Sequence, residues 1–416
     1  MYFSKVKNKM TNYERSINYL ESLLKFGIKP GLDRIKYLLR LIDQPQEKFK
    51  IIHVTGTNGK GSVCATIAEI LKTAKFKVGL FTSPHLISYR ERFKINGVEI
   101  SENDFTNLVD DMKILVDQMI NECNESPTEF EVLTAMAFKY FADQKVDYAV
   151  IEVGLGGLLD STNVVKPKIS VITNVANDHA EKCGGDLLGI ARHKAGIIKN
   201  KIPIVTGASD EPLKIISEVA KQKDSKIYVL NKDFFVDDSL KISLQGEYQK
   251  LNAAIAVETA KLLNEDQITD EVIKTAIQNV KWQGRFEIFH YGDKTIIIDG
   301  AHNGAGAKAL RKSLDKKFST DRRIFLFGVL ADKDIDEMIK ILFREDDFVI
   351  VSKPDSPRAA DPKKISELLQ ARSIESIAIE DNEKAFEKFI NSNEKILIAA
   401  GSLYMIGKIR EKIISI

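Results

Sequence analysis

From Lys50 to Ala399, short β-branched runs alternate with longer amphipathic stretches, and few folds satisfy that alternation. In the first part the strand candidates are Lys50–Thr55, Lys77–Thr82, Val146–Val153, Ile169–Asn174, Ile202–Val205 and Lys226–Leu230. Several are continuous apolar runs, as in parallel strands covered by helices on both faces. Amphipathic stretches such as Ser62–Ala74 and Glu129–Ala142 lie between them. The pattern predicts a doubly wound, mostly parallel α/β sheet. Two helical stretches, Gln249–Leu263 and Asp270–Val280, then lead to a break at Lys281–Arg285. A second series follows, with strand candidates Thr295–Ile298, Arg323–Phe327, Phe348–Val351, Ser376–Ile379 and Lys395–Ala399. This series predicts a second, smaller Rossmann-like α/β domain. Chains of 416 residues usually divide into more than one core. The expected domains are 1–283 and 284–416, with the boundary near Gly284.

Composition narrows the partners. The 61 basic and 59 acidic side chains nearly cancel, so no global field draws the chain to nucleic acid or a membrane surface. An anionic ligand must be held by local geometry. Cys64, Cys123 and Cys183 are far apart and form no C-x-x-C pair, which argues against a disulfide framework or a thiolate zinc site. Met1–Leu24 contains no apolar signal core, and no stretch reaches the ~18 apolar residues of a membrane span. A cytoplasmic protein is expected. No periodic apolar face is left unassigned, so a monomer is expected too.

The strand Ile51–Val54 runs into Gly56-Thr57-Asn58-Gly59-Lys60-Gly61-Ser62, and a helix follows. Strand, glycine loop and helix together aim backbone N–H groups at phosphate oxygens, and Lys60 can reach the outer phosphates. The loop departs from G-x-x-x-x-G-K-[ST]. Val54 stands at the first glycine position, and Gly61 separates Lys60 from Ser62. A phosphate site follows from this, but not a reaction.

Three further segments close predicted strands, where open α/β sheets bind ligands. They are Thr82–His85, Glu152–Gly157, and Thr173-Asn174 leading to Asp178-His179. Glu152 beside a phosphate loop suits Mg²⁺, a hard cation that prefers oxygen. His179 alone reads as structural, because Mg²⁺ tends to avoid nitrogen. Read alone, Lys194 is a surface lysine in a helical stretch. Asp299-Gly300-Ala301-His302-Asn303 is expected to close the first strand of the second domain, as a turn or as a wall of an interdomain cleft.

Taken in order, these segments resemble the folylpolyglutamate synthase family, which includes dihydrofolate synthases and belongs with the Mur-type amide ligases. Gly56–Ser62 matches its G-T-N-G-K-G-S loop, and Val150–Asn163 its second signature. Thr82–His85, Thr128–Glu131, Lys194–Lys199, Trp282–Arg285, Asp299–Asn303 and Gly401–Tyr404 match as well. The resemblance implies a Mur-ligase-like central domain and an ATP-dependent ligase adding L-glutamate to folate, alone or together with dihydrofolate synthesis from dihydropteroate. It implies that Asn58, Gly59, Lys60, Gly61 and Ser62 hold the phosphates of ATP. Asn252, Arg285 and Asp299 become further ATP contacts, and Ser83, Glu152 and His179 become Mg²⁺ ligands. Lys194 matches a position that carries a carbamate. Pro30, Gly31, Thr128 and Phe130 resemble parts of a pterin pocket, with Asp160 and Ser161 beside them. His302 and Ser402 match the site of the incoming glutamate, His302 among the catalytic residues with Lys60 and Lys194.

Three residues depart from the family pattern. Leu158 replaces an arginine frequent in dihydrofolate-synthesising members, which weakens the case for dihydropteroate. Tyr248 replaces a histidine before Gln249, and His193 a glutamate before Lys194. Other readings are a dihydrofolate synthase acting mainly on dihydropteroate, a Mur-type enzyme acting on a UDP-linked acid, and an inactive nucleotide-binding regulator. Retention of Glu152, His179 and Lys194 argues against the last.

Overall fold

The computed structural model describes residues 10–27, 29–318 and 322–415; residues 1–9 of the N-terminal stretch considered above lie outside them. The first sheet is built from β1 (Lys50–Thr55), β2 (Val78–Phe81), β3 (Phe93–Ile95), β4 (Val98–Glu99), β5 (Tyr148–Glu152), β6 (Ile169–Ile172), β7 (Ile204–Thr206) and β8 (Ile227–Val229). Their order is β4-β3-β2-β5-β1-β6-β7-β8. Pairing is parallel from β2 to β8, and among the described residues the antiparallel pairs are β2–β3 and β3–β4 at one edge. The second sheet comprises β9 (Glu287–Tyr291), β10 (Lys294–Asp299), β11 (Arg323–Phe327), β12 (Phe348–Val351), β13 (Glu375–Ala378) and β14 (Ile396–Ala400), in the order β13-β12-β11-β14-β10-β9.

The period of two along a strand explains the double-sided burial. Ile51 enters the cluster beneath one face, whereas Ile52 and Val54 enter the cluster on the other. Strand β5 repeats this, with Ala149 and Ile151 on one side and Tyr148 and Val150 opposite. Helices Glu102–Cys123 and Glu129–Asp143 cover the first face, and Lys60–Thr73 and Tyr248–Lys261 the second. In the second sheet, Phe325 and Phe327 face one cluster and Ile324 and Leu326 the other.

Two details depart from the sequence reading. Asp299 closes the second strand of its sheet, not the first, because β9 precedes it as an antiparallel edge. Strand β9 is partly exposed along its length, so it lacks the apolar run that marks a buried strand. The β3–β4 hairpin is likewise short and lies at a sheet edge. Among the described residues, no helix is long and apolar enough to cross a membrane.

Strand β2 approaches helix Glu129–Asp143 closely because Gly79 has no side chain. A Cβ there would sit 2.7 Å from the buried ring of Phe141. Gly79→Ala should therefore cost about 1–3 kcal/mol by overpacking, read as a lowered denaturation midpoint. Adding Phe141→Leu should recover part of that loss.

Candidate functional site

The phosphate-loop turn is fastened from both neighbouring strand ends. Thr55 Oγ1 donates to the Gly156 carbonyl at 2.6 Å, tying the end of β1 to the loop after β5. Beyond β6, Thr173 Oγ1 and Asn174 Nδ2 donate to the Asn58 carbonyl, and Asn174 Oδ1 accepts from the Asn58 N–H. Gly59 has φ +82° and immediately precedes helix Lys60–Thr73, whose first-turn N–H groups have no partner within the helix. Lys60 Nζ donates to the carbonyls of Gly56 and Thr57 at 3.1 and 3.2 Å. Ser62 is buried, and its hydroxyl accepts from Gln249 Nε2 at 3.1 Å. Asn252, on the same helix as Gln249, lies over Gly59; a Cβ at Gly59 would collide with Asn252 Oδ1.

Gly56–Ser62, with Gly156, Thr173, Asn174 and Asn252, line one wall of a cleft of about 500 Å³ between the two sheets. Ser83, Glu152, His179 and Lys194 extend that wall, and Arg285, Asp299, His302, Lys333 and Ser402 form the facing one. The Glu152 carboxylate is buried and accepts from the Ser83 N–H at 3.0 Å. Burial lifts its pKa above the usual carboxylate range, opposed by the Lys60 ammonium. Among the described residues, no three His, Cys, Asp or Glu side chains cluster as a metal site. His179 Nε2 instead lies 3.4 Å from Lys333 Nζ.

Lys194 is not a surface residue; only 4% of it is exposed. The one-residue reading fails because helix Leu187–Ala195 turns its final positions inward, against the Gly156–Leu158 loop. Burial, with Lys60 adding repulsion, lowers the Lys194 pKa to about 7. A substantial neutral fraction therefore exists near neutrality, and only a neutral amine is nucleophilic.

The second-domain wall is equally ordered. Asp299 accepts from Tyr248 Oη, Phe286 N–H and Ala301 N–H. Arg285 crosses Gly300, where any side chain would meet its guanidinium. His302 is within 2.7 Å of the Gly300 carbonyl through Nδ1, so Nδ1 carries the proton and Nε2 is free to accept. Burial lowers its pKa to about 4, leaving the ring neutral. The Ser402 hydroxyl is buried without a hydrogen-bond partner.

Pro30, Gly31, Thr128, Phe130, Asp160 and Ser161 do not line this cleft but gather beside it. Thr128 caps helix Glu129–Asp143 through a capping box with Glu131. Arg34 reaches both Glu131 and the Lys29 carbonyl, drawing the Pro30-Gly31 segment to that helix. Phe130 packs against Phe81 and Gly154, Asp160 accepts from the Leu155 N–H, and Ser161 bonds Thr134. Gly154 and Leu155 themselves line the cleft, so the two regions adjoin.

Four residues in or beside the cleft carried little or no signal. Lys333 donates to Asp178 Oδ1 at 2.8 Å, with both side chains 8% exposed. Asn303 donates to Asp178 Oδ2 and exchanges amide hydrogen bonds with Asn58. Tyr248 stood out only as a departure, and Asp178 and Asn303 only as neighbours of His179 and His302. Nothing in the sequence marked Lys333, because its partner lies 155 residues away.

Residues 54–252 match the Mur ligase middle domain, and residues 284–403 match the Mur ligase glutamate ligase domain. The dihydrofolate synthase/folylpolyglutamate synthase of Bacillus subtilis is 36% identical, across 97% of this chain and 99% of that protein. The chain belongs to the folylpolyglutamate synthase/dihydrofolate synthase family. The family's fold is shared throughout. The folylpolyglutamate synthase of Thermotoga maritima superposes with a TM-score of 0.86 at 35% identity, covering 97% of this chain and 98% of the other. That of Mycobacterium tuberculosis, complexed with ADP and AMPPCP, gives 0.88 at 29% identity, covering 96% and 99%.

The close contact at Gly59 yields a direct expectation. Gly59→Ala places a side chain in left-handed backbone and against Asn252, so affinity for inorganic tripolyphosphate should fall at least about tenfold by calorimetry.

Proposed function

We propose that this family member is an ATP-dependent ligase that joins L-glutamate to a folate-type carboxylate through an acyl phosphate. The observation that carries the reading is one cleft lined by a phosphate loop, a buried carboxylate and a buried low-pKa lysine, faced by His302 and Ser402 of the second domain. Nucleotide in the Mycobacterium tuberculosis relative supports ATP as the phosphoryl donor.

Lys60 and the first-turn N–H groups hold the phosphates, and Arg285 and Asp299 take the nucleoside end with Asn252. Ser83 and Glu152 suit Mg²⁺: their donors are oxygen, and Glu152 is a buried anion facing the loop lysine. A neutral His179 and a carbamylated Lys194 would complete the set; a metal bound there would neutralise charge on the phosphate oxygens. Carbamylation joins the neutral Lys194 amine to CO₂ with loss of a proton, converting a buried amine that is costly to protonate into an anionic ligand.

The folate carboxylate attacks the γ-phosphorus of ATP and ADP departs, leaving an acyl phosphate. The amino group of glutamate attacks its carbonyl carbon, and the tetrahedral adduct expels phosphate. Lys60 stabilises charge on the transferring group. His302 Nε2, held as an acceptor by the Nδ1 contact, is suited to orient the incoming amine or accept its proton. The unpartnered Ser402 hydroxyl is suited to a carboxylate of the same substrate. Facing walls from two domains keep water from the acyl phosphate. Phe130 and the Pro30-Gly31 segment, beside Gly154, are assigned to the pterin. Leu158 is 44% exposed where an arginine would supply a cation, which favours tetrahydrofolate over dihydropteroate as acceptor.

ADP release should rise when ATP, Mg²⁺ and glutamate are supplemented with tetrahydrofolate, and rise less with dihydropteroate. No stimulation by either would sink the folate assignment. Lys194→Ala should reduce turnover about a hundredfold or more while leaving ADP affinity within a few-fold of the parent. Unchanged turnover in that variant would rule out the carbamate.

A further inference from the structure

The first turn of helix Tyr248–Lys261 reaches both walls of the cleft. Gln249 Nε2 donates to Ser62 Oγ, and Asn252 covers Gly59, both on the phosphate side. Tyr248 turns the other way. Its ring packs against the second domain's buried cluster, which includes Phe286, and its hydroxyl donates to Asp299 Oδ2 at 2.6 Å. One helical turn thus spans the phosphate loop of one domain and a buried carboxylate of the other.

We propose that Tyr248 is a positioning residue whose hydroxyl fixes the Asp299 carboxylate relative to the phosphate loop, so that nucleoside and phosphates are gripped in a single geometry. This rests on the assignment of Asp299 as a nucleotide contact. The carboxylate has two other donors, the N–H groups of Phe286 and Ala301, each at 2.8 Å. Both belong to the second domain, so they orient Asp299 only within its own fold. Tyr248 ties it to the helix that also holds Ser62 and Gly59. Phe286 has φ +48°, a left-handed conformation that a bulky residue adopts only when its surroundings impose it. That conformation directs the Phe286 N–H to Asp299 while the adjacent Arg285 lines the cleft. Burial and the neighbouring Asp299 charge raise the Tyr248 phenol well above its ordinary range, so it remains a donor at any working pH.

Tyr248→Phe keeps the ring and removes only the donor. With the full chain, calorimetry would measure affinity for ADP and for inorganic tripolyphosphate, which meets only the phosphate loop. The expected result is ADP affinity weakened about tenfold or more, with tripolyphosphate affinity unchanged. In turnover, KM for ATP should rise by a similar factor and kcat should change far less. Unaltered ADP affinity would overturn the proposal, and so would an equal loss for both ligands, which signals general disturbance of the loop. If the parent chain binds ADP yet ligates no folate, the ligase assignment fails while these binding measurements still decide the role of Tyr248.

Discussion

Asn58 is held from two sides, and the geometry of the cleft depends on that. Its backbone is clamped by Asn174, at the end of the neighbouring strand β6, and its side-chain amide pairs with Asn303 of the second domain. A phosphate loop must keep its backbone in one conformation, because its N–H groups bind by direction as well as charge. Clamping the loop to β6 supplies rigidity, and pairing it with Asn303 makes the second domain part of the loop's own support. The Asp178–Lys333 ion pair reinforces the same junction a few residues away.

The cleft gathers charges that burial makes expensive. Glu152, Lys194, Asp178, Lys333 and Asp299 are all largely removed from water. Desolvating an isolated ion costs on the order of several kcal/mol, and a protein selected for stability alone would bury apolar groups instead. Asp178 and Lys333 neutralise one another, and Asp299 is satisfied by three donors. Lys194 has no comparable anion and responds with a pKa lowered to about 7. Concentrated, unevenly compensated charge of this kind is the mark of a reacting site.

Much of the architecture was legible because its signals are local. The apolar runs of β1, β5, β11 and β12 report burial on two faces, and the glycine loop reports a strand-to-helix turn. The strands that escaped were those with weaker local patterns: β9, partly exposed at an edge, and the short β3–β4 hairpin. Lys194 was misread for a related reason. A lysine in a helix carries no mark of which way the helix faces, and that depends on packing against the Gly156–Leu158 loop.

By itself, the sequence determined the two-sheet α/β architecture, the anion-binding loop and the set of motifs that identify a glutamate ligase of this family. Those features are written in periodicity and short-range spacing, which survive without knowledge of long-range contacts. Only the tertiary structure decided which residues join the two walls: Asn58 with Asn303, Asp178 with Lys333, and Tyr248 with Asp299. These partners lie 245, 155 and 51 residues apart, and no local pattern couples positions at such distances. They meet because both sheets direct the carboxyl ends of their central strands toward one cleft, where a ligand can be held between the domains.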